Sequence, residues 1–187
     1  MMMKLRLGVV LMALVASAGV ATAKEPELTA VDSVELDRYL GEWYEIASYP
    51  AWFQRGCTAV TADYSLRDDG LIKVVNSCRK GSLDGKLKQS TGRAKVVDAD
   101  SNAKLKVSFF GPFWGKYWII DLDPDYQWVV VGEPKRKYLW ILSRTRSLDD
   151  EIYERILAGL PDKGYDPDGL QRTVQPGPQA ESTGGSE

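Results

Sequence analysis

The residue types that carry most enzyme chemistry are scarce in this chain of 187 residues. The chain contains no histidine, which removes the commonest general base, the commonest metal ligand and the usual partner of a nucleophilic serine or cysteine. Two cysteines remain, Cys57 and Cys78. Either could act as a nucleophile only as a thiolate, and neither has a Cys-x-x-Cys neighbour or a nearby histidine that would lower its pKa. A structural disulfide is therefore the favoured interpretation, with two free thiols or a redox pair as the alternatives.

The first 23 residues support the disulfide, because they predict export. Lys4 and Arg6 precede an apolar run over residues 7–20, and residues 21–23 have the small-x-small form of a cleavage site. We expect a cleaved secretory signal peptide, with an uncleaved membrane anchor as the alternative. No cysteine ends the apolar run, so we expect no lipid there and a soluble periplasmic or secreted protein. An even pair of cysteines in an exported chain is typical of a disulfide.

One further pair of residues could interact across the whole fold. Trp43 stands at the start of the first strand-like segment, and Arg144 follows the last one. A guanidinium stacks well on an indole face, because the ring quadrupole attracts the cation. The two side chains can meet only if a sheet curls round until its first and last strands are neighbours. The pair therefore favours a closed β-barrel, although a core tryptophan and an unrelated surface arginine would look the same individually.

The sequence between these two residues predicts eight strands with short connections. Alternating apolar and polar residues mark the strands, and Gly, Pro, Asp and Asn clusters separate them. A meander of this kind favours an antiparallel up-and-down barrel, which has no exposed edge strands. The predicted strands are 43–49, 57–66, 71–78, 86–97, 105–109, 117–122, 127–132 and 138–143. Cys57 and Cys78 are nearly equidistant from the turn at residues 68–70, so this hairpin brings them together.

One helix and a weaker strand follow the barrel. Ser147 is the predicted N-cap, and apolar residues recur at helical spacing until Pro161 ends the helix. We expect this helix to pack outside the barrel, and residues 166–174 to add a short strand. The predicted organisation is a signal peptide over 1–23, an extension over 24–33, a barrel domain over 34–175 and a disordered tail over 176–187.

The overall charge excludes one class of partner. The formal net charge is −2, and charges of both signs are interspersed without a basic block. Nucleic acid is therefore not an expected partner. The sequence also gives no sign of a metal site or a bound cofactor.

Three short motifs give the chain a resemblance to the lipocalin family. Gly41, Trp43 and Tyr44 resemble the first lipocalin motif, residues 123–126 resemble the second, and residues 142–144 resemble the third. The segments 64–70, 107–113 and 138–145 are similar to the subfamily of bacterial Blc and apolipoprotein D. The resemblance covers about residues 34–176.

The resemblance implies an eight-stranded barrel that is closed at one end and holds one small apolar ligand. Gly41, Trp43, Asp123, Tyr126 and Arg144 would then belong to the structural closure rather than to any chemistry. This subfamily is associated with lipids, fatty acids and lysophospholipids, which implies a role in the cell envelope. The bacterial prototype is an outer-membrane lipoprotein, and its membrane attachment is not carried over to this chain.

Strand alternation predicts which side chains face the ligand. If Arg144 points inward, every second residue before it in the strand points inward too. The neighbouring strands contribute their own inward-facing residues by the same alternation. The alternative is that these side chains fill the barrel. The predicted ligand-facing residues are Val60, Ala62, Tyr64, Leu105, Val107, Phe109, Tyr117, Ile119, Tyr138, Trp140 and Leu142.

Six aromatic residues near a Gly-Pro loop offer a second surface. They could form a hydrophobic lip that touches a membrane transiently, or they could be ordinary core and loop residues. They are Phe109, Phe110, Phe113, Trp114, Tyr117 and Trp118.

Three functions are compatible with these residues. The first is binding and carrying or storing a fatty acid or lysophospholipid, and we expect no enzymatic activity with it. The second is carrying a planar pigment such as a tetrapyrrole or carotenoid, although the missing histidine weakens haem ligation. The third is an enzyme with Cys57 as its nucleophile, which requires a free thiol.

Overall fold

The computed structural model describes residues 27–177, which form one antiparallel sheet that closes on itself, two α-helices and three 3₁₀ turns. The described chain contains no helix that is long and apolar enough to cross a membrane. The predicted signal peptide and nearly all of the predicted disordered tail lie outside these residues. The elements are α1 Leu36–Tyr39, β1 Gly41–Ser48, β2 Cys57–Leu66, β3 Ile72–Lys80, β4 Leu87–Val96, β5 Lys104–Ser108, β6 Gly115–Leu122, β7 Trp128–Gly132, β8 Leu139–Ser143, α2 Asp150–Gly159 and β9 Gln171–Arg172.

The first strand closes the barrel. β1 pairs with β2 through Trp43 and Ala62, and it pairs with β8 through Tyr44 and Ser143. The remaining neighbours follow chain order from β2 to β8. The prediction of an eight-stranded up-and-down barrel is confirmed. β9 adds to β1 where Ala47 opposes Arg172, so a short strand does occur within residues 166–174.

Strand alternation divides the apolar residues between two layers. Ile119 and Leu142 lie in the cluster that fills the barrel interior. Their sequence neighbours Ile120 and Ile141 lie in a second cluster, with α2 on the outside of the barrel. The period of two along each strand separates the layers. The predicted position of the helix outside the barrel is therefore confirmed.

The predicted start of that helix is wrong by two residues. The N-cap is Asp149, not Ser147, and its carboxylate accepts hydrogen bonds from the backbone N–H groups of Glu151 at 2.9 Å and Ile152 at 3.4 Å. The Ser147 carbonyl instead accepts the hydroxyl of Thr145 at 2.6 Å. Ser147 therefore belongs to the preceding turn, and the carboxylate satisfies the free N–H groups at the helix start.

The two ends of the barrel differ in what covers them. At the closed end lie α1 and the connections 67–71, 97–103 and 123–127. At the open end lie the connections 49–56, 81–86, 109–114 and 133–138. The interior between these ends is the place where a ligand can bind.

Candidate ligand-binding cavity

The floor of the cavity is built on Trp43 and Arg144. The Arg144 guanidinium lies 3.8 Å from the centre of the Trp43 ring, which is fully buried. Arg144 also donates to the backbone carbonyls of Arg38 at 2.6 Å, Leu40 at 2.9 Å and Glu42 at 2.9 Å. These carbonyls belong to the last turn of α1 and the start of β1. A cation suits this position, because the terminal carbonyls of a helix carry partial negative charge.

Three further residues fix the backbone around this floor. Gly41 has a φ of +91°, and a Cβ there would approach the Arg144 guanidinium nitrogen to 3.5 Å. The Tyr126 hydroxyl accepts the backbone N–H of Glu35 at 2.8 Å, which ties the N-terminal segment to the β6–β7 connection. Asp123 accepts the backbone N–H of Gln127 at 3.0 Å within the same connection. The motif residues thus join distant segments at the closed end.

Three tyrosines lie on the floor and face the interior. The Tyr117 hydroxyl is 2.6 Å from that of Tyr39 and 2.9 Å from that of Tyr64. Burial raises the pKa of Tyr64 to about 12 and raises the pKa values of Tyr39 and Tyr117 as well. All three hydroxyls therefore stay protonated at neutral pH, so the floor offers neutral hydrogen-bonding groups rather than a charge.

Along β4 and β6, inward-facing residues become more exposed from the floor to the mouth. Along β4, Ala94 is buried, Gly92 is half-buried, and Ser90 and Lys88 are exposed. Side chains of alternate residues share a face, so all four follow the inner wall. Along β6, Ile119 is fully buried and Tyr117 is half-buried. Inward-pointing side chains that water can reach indicate that the open half of the barrel is not filled.

Nine of the eleven predicted ligand-facing residues belong to or pack against the interior cluster. The other two are Val60, beside the mouth, and Tyr138, whose ring stacks on that of Trp140. Contact with a ligand stays a prediction for all eleven. The nine interior residues are Ala62, Tyr64, Leu105, Val107, Phe109, Tyr117, Ile119, Trp140 and Leu142.

Sequence reasoning missed several interior residues. Val129 and Val131 point inward, but the continuous apolar run of β7 hides its alternation. Tyr39 comes from α1, which is too short to show a helical period. Asn76 lies opposite Ala62 in β3, and its side-chain oxygen is buried without a hydrogen-bond partner among the described residues. The alternation of β3 places Asn76 on the inner wall and could have identified it.

Comparison with known proteins identifies the family. The model of the Lipocalin-like domain matches residues 34–175. The chain belongs to the lipocalin family. It is 45% identical to the outer membrane lipoprotein Blc of Escherichia coli strain K12 over 150 residues, which cover 80% of this chain and 84% of that protein. It is 38% identical to the temperature-induced lipocalin-1 of Arabidopsis thaliana, with coverage of 81% and 85%.

Apolipoprotein D and two solved structures extend the comparison. Mouse apolipoprotein D is 32% identical, with coverage of 81% of this lipocalin and 82% of that protein. Insecticyanin from the tobacco hornworm superposes with a TM-score of 0.66 at 20% identity, covering 81% of this chain and 86% of its own. Lobster apocrustacyanin A1 gives a TM-score of 0.59 at 20% identity, with coverage of 75% and 79%. These structures share the fold, and the sequence relatives place this lipocalin in the Blc and apolipoprotein D subfamily.

Both cysteines of this lipocalin form one disulfide. Cys57 and Cys78 are bonded, with their Cα atoms 5.5 Å apart, which confirms the predicted pair. Neither sulfur is a free thiol, so the enzyme hypothesis loses its nucleophile. Among residues 27–177, no group of three or more His, Cys, Asp and Glu side chains could hold a metal ion.

A buried carboxylate stands beside the mouth of this lipocalin. Glu45 is 4% exposed, and it accepts hydrogen bonds from Gln54 at 2.7 Å, Ser48 at 3.0 Å and Thr173 at 2.5 Å. Burial raises the pKa of Glu45, and these hydrogen bonds oppose the rise. The Gln175 amide donates to the carbonyls of Glu45 at 2.9 Å and Val60 at 2.8 Å. Residues 171–175 therefore form a strap that fills the gap where β1 and β2 separate.

A side cavity of about 450 Å³ lies under this strap. Its wall includes the buried Glu45 together with Trp52, Arg55 and Val60. It adjoins the mouth. Its mixed polar wall suits an acyl chain less well than the apolar interior does.

The six aromatic residues near the Gly-Pro loop do not form one surface. Trp114 and Trp118 pack on the outer wall, where Lys95 and Lys104 lie 4.8 Å and 5.0 Å from the respective ring centres. Phe109 and Tyr117 face the interior. Strand alternation separates neighbours such as Tyr117 and Trp118. Only Phe110 and Phe113 of the six are fully exposed, at 77% and 76%.

Proposed function

We propose that this lipocalin binds one fatty acid or lysophospholipid in the open half of its barrel and carries or stores it in the bacterial cell envelope. The observation that carries the proposal is the exposure gradient along the inner faces of β4 and β6. A packed floor below a partly empty, mainly apolar space suits a flexible acyl chain. Lipocalin membership supports the coarser function, which is binding of a small hydrophobic ligand.

The chemistry of the wall favours one orientation of the lipid. The acyl chain would enter first, because Val107, Ile119 and Leu142 offer apolar surface worth about 0.8 kcal/mol for each buried methylene. The tyrosine hydroxyls at the floor are neutral and already bonded to one another. An anionic headgroup would stay at the mouth, where Lys88 continues the inner wall of β4. The unpartnered oxygen of Asn76 can accept a hydrogen bond from a hydroxyl of a glycerol backbone.

The proposed location rests on the relatives. Blc proteins from Escherichia coli and Citrobacter freundii are outer membrane lipoproteins by name. Export of this chain to the same envelope agrees with the predicted signal peptide and with the disulfide, which persists in oxidising compartments.

A blocked cavity tests the proposal. Ala62→Phe places a ring inside the barrel, where Ala62 is partly buried against the interior cluster. Thr61→Phe places the same ring on the opposite face of the same strand. We expect Ala62→Phe to weaken binding of a fluorescent fatty acid by about tenfold or more, since it occupies the volume of several methylenes. Thr61→Phe should bind as the wild type does.

Two results would contradict the proposal. Equal fatty-acid affinity in both variants would place the ligand outside the barrel. Native mass spectrometry of protein purified from its own cells, followed by extraction, would reveal a bound pigment by its mass and visible absorption. A pigment at about one per barrel would replace the lipid as the ligand.

A further inference from the structure

Exposed apolar side chains concentrate on one side of the open end. Nine large apolar side chains are exposed among residues 27–177, and six of them lie on or directly beside three connections that are neighbours in the barrel. Trp52 is 74% exposed in the β1–β2 connection, and Phe110 and Phe113 are the exposed large apolar residues of the β5–β6 connection. The other three are Phe53, Leu83 and Leu87. We call residues 50–57, 79–93 and 109–116 the docking arc.

The three parts of the docking arc contact one another. The backbone N–H of Gly81 donates to the carbonyl of Gly56 at 2.8 Å, which joins the β3–β4 hairpin to the β1–β2 connection. On the other side, a Cβ placed on Gly92 would lie 2.7 Å from the Phe109 ring. The arc is therefore a continuous rim around about half of the mouth.

The docking arc is strongly basic. Its three segments contain seven Lys and Arg residues and one Asp. The connection 133–138 at the same end adds three basic residues and one Glu, whereas the segment 161–170, which reaches Tyr49 through a 2.7 Å hydrogen bond to the Asp166 carbonyl, holds three Asp residues and one Lys. The closed end is acidic, because its segments 32–40, 67–71, 97–103, 123–127 and 144–149 contain ten acidic and four basic residues. A negatively charged surface would thus orient the molecule with the arc towards it.

We propose that the docking arc seats this lipocalin on an anionic lipid bilayer, with Trp52, Phe110 and Phe113 inserted among the lipids. These apolar tips lie on two connections, Trp52 on one and Phe110 and Phe113 on the other, and the β3–β4 hairpin between them carries Lys and Arg residues. A fluid lipid interface accommodates such a surface, because aromatic rings enter the headgroup region while Lys and Arg meet the anionic lipids. A protein partner would instead favour one contiguous apolar patch.

An aromatic path leads from this surface into the barrel. Successive ring centres are 5.7 Å apart from Trp52 to Phe53, from Phe53 to Tyr138 and from Tyr138 to Trp140. Trp140 packs against the interior cluster. If the ligand is the lipid that we propose, an acyl chain can leave a bilayer along these rings without crossing bulk water. This path depends on the proposed function, whereas the docking itself does not.

Cosedimentation with vesicles tests the docking. The protein should bind vesicles of equal parts phosphatidylglycerol and phosphatidylcholine, and binding should fall steeply with salt and on pure phosphatidylcholine. Lys86→Glu/Lys116→Glu should weaken binding about tenfold or more, since each basic residue near an anionic surface contributes about a factor of five. Lys73→Glu/Arg155→Glu makes the same change in net charge away from the arc and should bind like the wild type. Trp52→Ala/Phe110→Ala/Phe113→Ala should lose binding, and Leu66→Ala should not.

The outcomes separate docking from ligand binding. Fatty-acid binding is measured on the same proteins without vesicles. A wild type that binds the fatty acid but ignores anionic vesicles overturns the docking and leaves the proposed function intact. A wild type that binds vesicles through the arc but takes up no fatty acid supports the docking and overturns the proposed function. Self-association in lipid-free buffer that the triple alanine variant abolishes, without vesicle binding, would make the arc an interface between copies and overturn the docking.

Discussion

The two ends of the barrel use the same residue types for opposite purposes. At the closed end, Trp43 is fully buried beneath Arg144, and the guanidinium is held by several backbone carbonyls. At the open end, Trp52 is 74% exposed, and Arg55 lines a side cavity. One end is fixed by contacts between distant segments, and the other keeps its aromatic and basic side chains available. The closed end therefore keeps its tryptophan out of solvent, whereas the open end presents one to it.

The largest effect should come from exchanging the tryptophans for alanine. Trp43→Ala removes a fully buried side chain and the ring beneath Arg144, so we expect it to lower the free energy of unfolding by about 3–5 kcal/mol. Trp52→Ala removes an exposed side chain and should change the free energy of unfolding by at most about 0.5 kcal/mol. Urea denaturation measures both. Similar losses in the two variants would remove the contrast between the ends.

A smaller effect should come from one hydroxyl on the floor. Tyr117→Phe leaves the buried hydroxyls of Tyr39 and Tyr64 without their common partner, which should cost about 1–3 kcal/mol in the free energy of unfolding. Tyr138→Phe is the matched control at the mouth, since its ring packs on Trp140 through the face and not through the hydroxyl. An unchanged midpoint for Tyr117→Phe would show that water replaces the lost bonds and that the floor is wet.

The smallest effect concerns the buried charge beside the mouth, and it depends on pH. Burial raises the pKa of Glu45 in the folded state, so the folded protein is more stable with this carboxyl protonated than with it ionised. This contribution to stability is fully present below the unfolded-state pKa of about 4.3, and it is lost as the pH rises through the folded-state pKa. Glu45→Gln is neutral at every pH. The free energy of unfolding of the wild type, relative to this variant, should therefore increase between pH 7 and pH 4.

Urea denaturation of the wild type and Glu45→Gln at both pH values measures this change. Other carboxylates titrate alike in the two proteins, so their contributions cancel in the difference. The hydrogen bonds from Thr173, Gln54 and Ser48 favour the charged form of Glu45, which opposes the effect of burial. A relative stability that falls on acidification would show that the three hydrogen bonds outweigh burial.

Sequence reasoning located the floor better than the mouth. The Gly41–Trp43 motif and Arg144 are separated by about a hundred residues, but each stands beside a strand whose place in a meander is predictable. The division of strand side chains between the barrel interior and the outer face also follows from the two-residue period of the strands. α1 was missed because four residues show no helical period, and the N-cap of α2 was misplaced because Ser147 and Asp149 both suit that position.

The positions of side chains at the mouth are harder to predict from the sequence, because the connections between strands show no regular spacing of apolar residues. Phe109, Phe110, Phe113, Trp114 and Tyr117 are close in the chain, yet they divide between the interior, the outer wall and solvent. Trp52 was not singled out, although it is the exposed tryptophan of the docking arc. The strap at residues 171–175 lies beside β1 and β2 for reasons that no local pattern shows.

The sequence by itself determined the strands, the closed barrel, the disulfide between Cys57 and Cys78 and the pairing of Trp43 with Arg144. These features follow from alternation, turn residues and motifs, which are local properties repeated along the chain. Only the tertiary structure decided which side chains share the floor, since Tyr117 bonds to Tyr39 and Tyr64 across 78 and 53 residues. It also decided which loop residues reach solvent together at the mouth. Contacts of that kind depend on how the sheet curls, and the curl is a property of all eight strands at once.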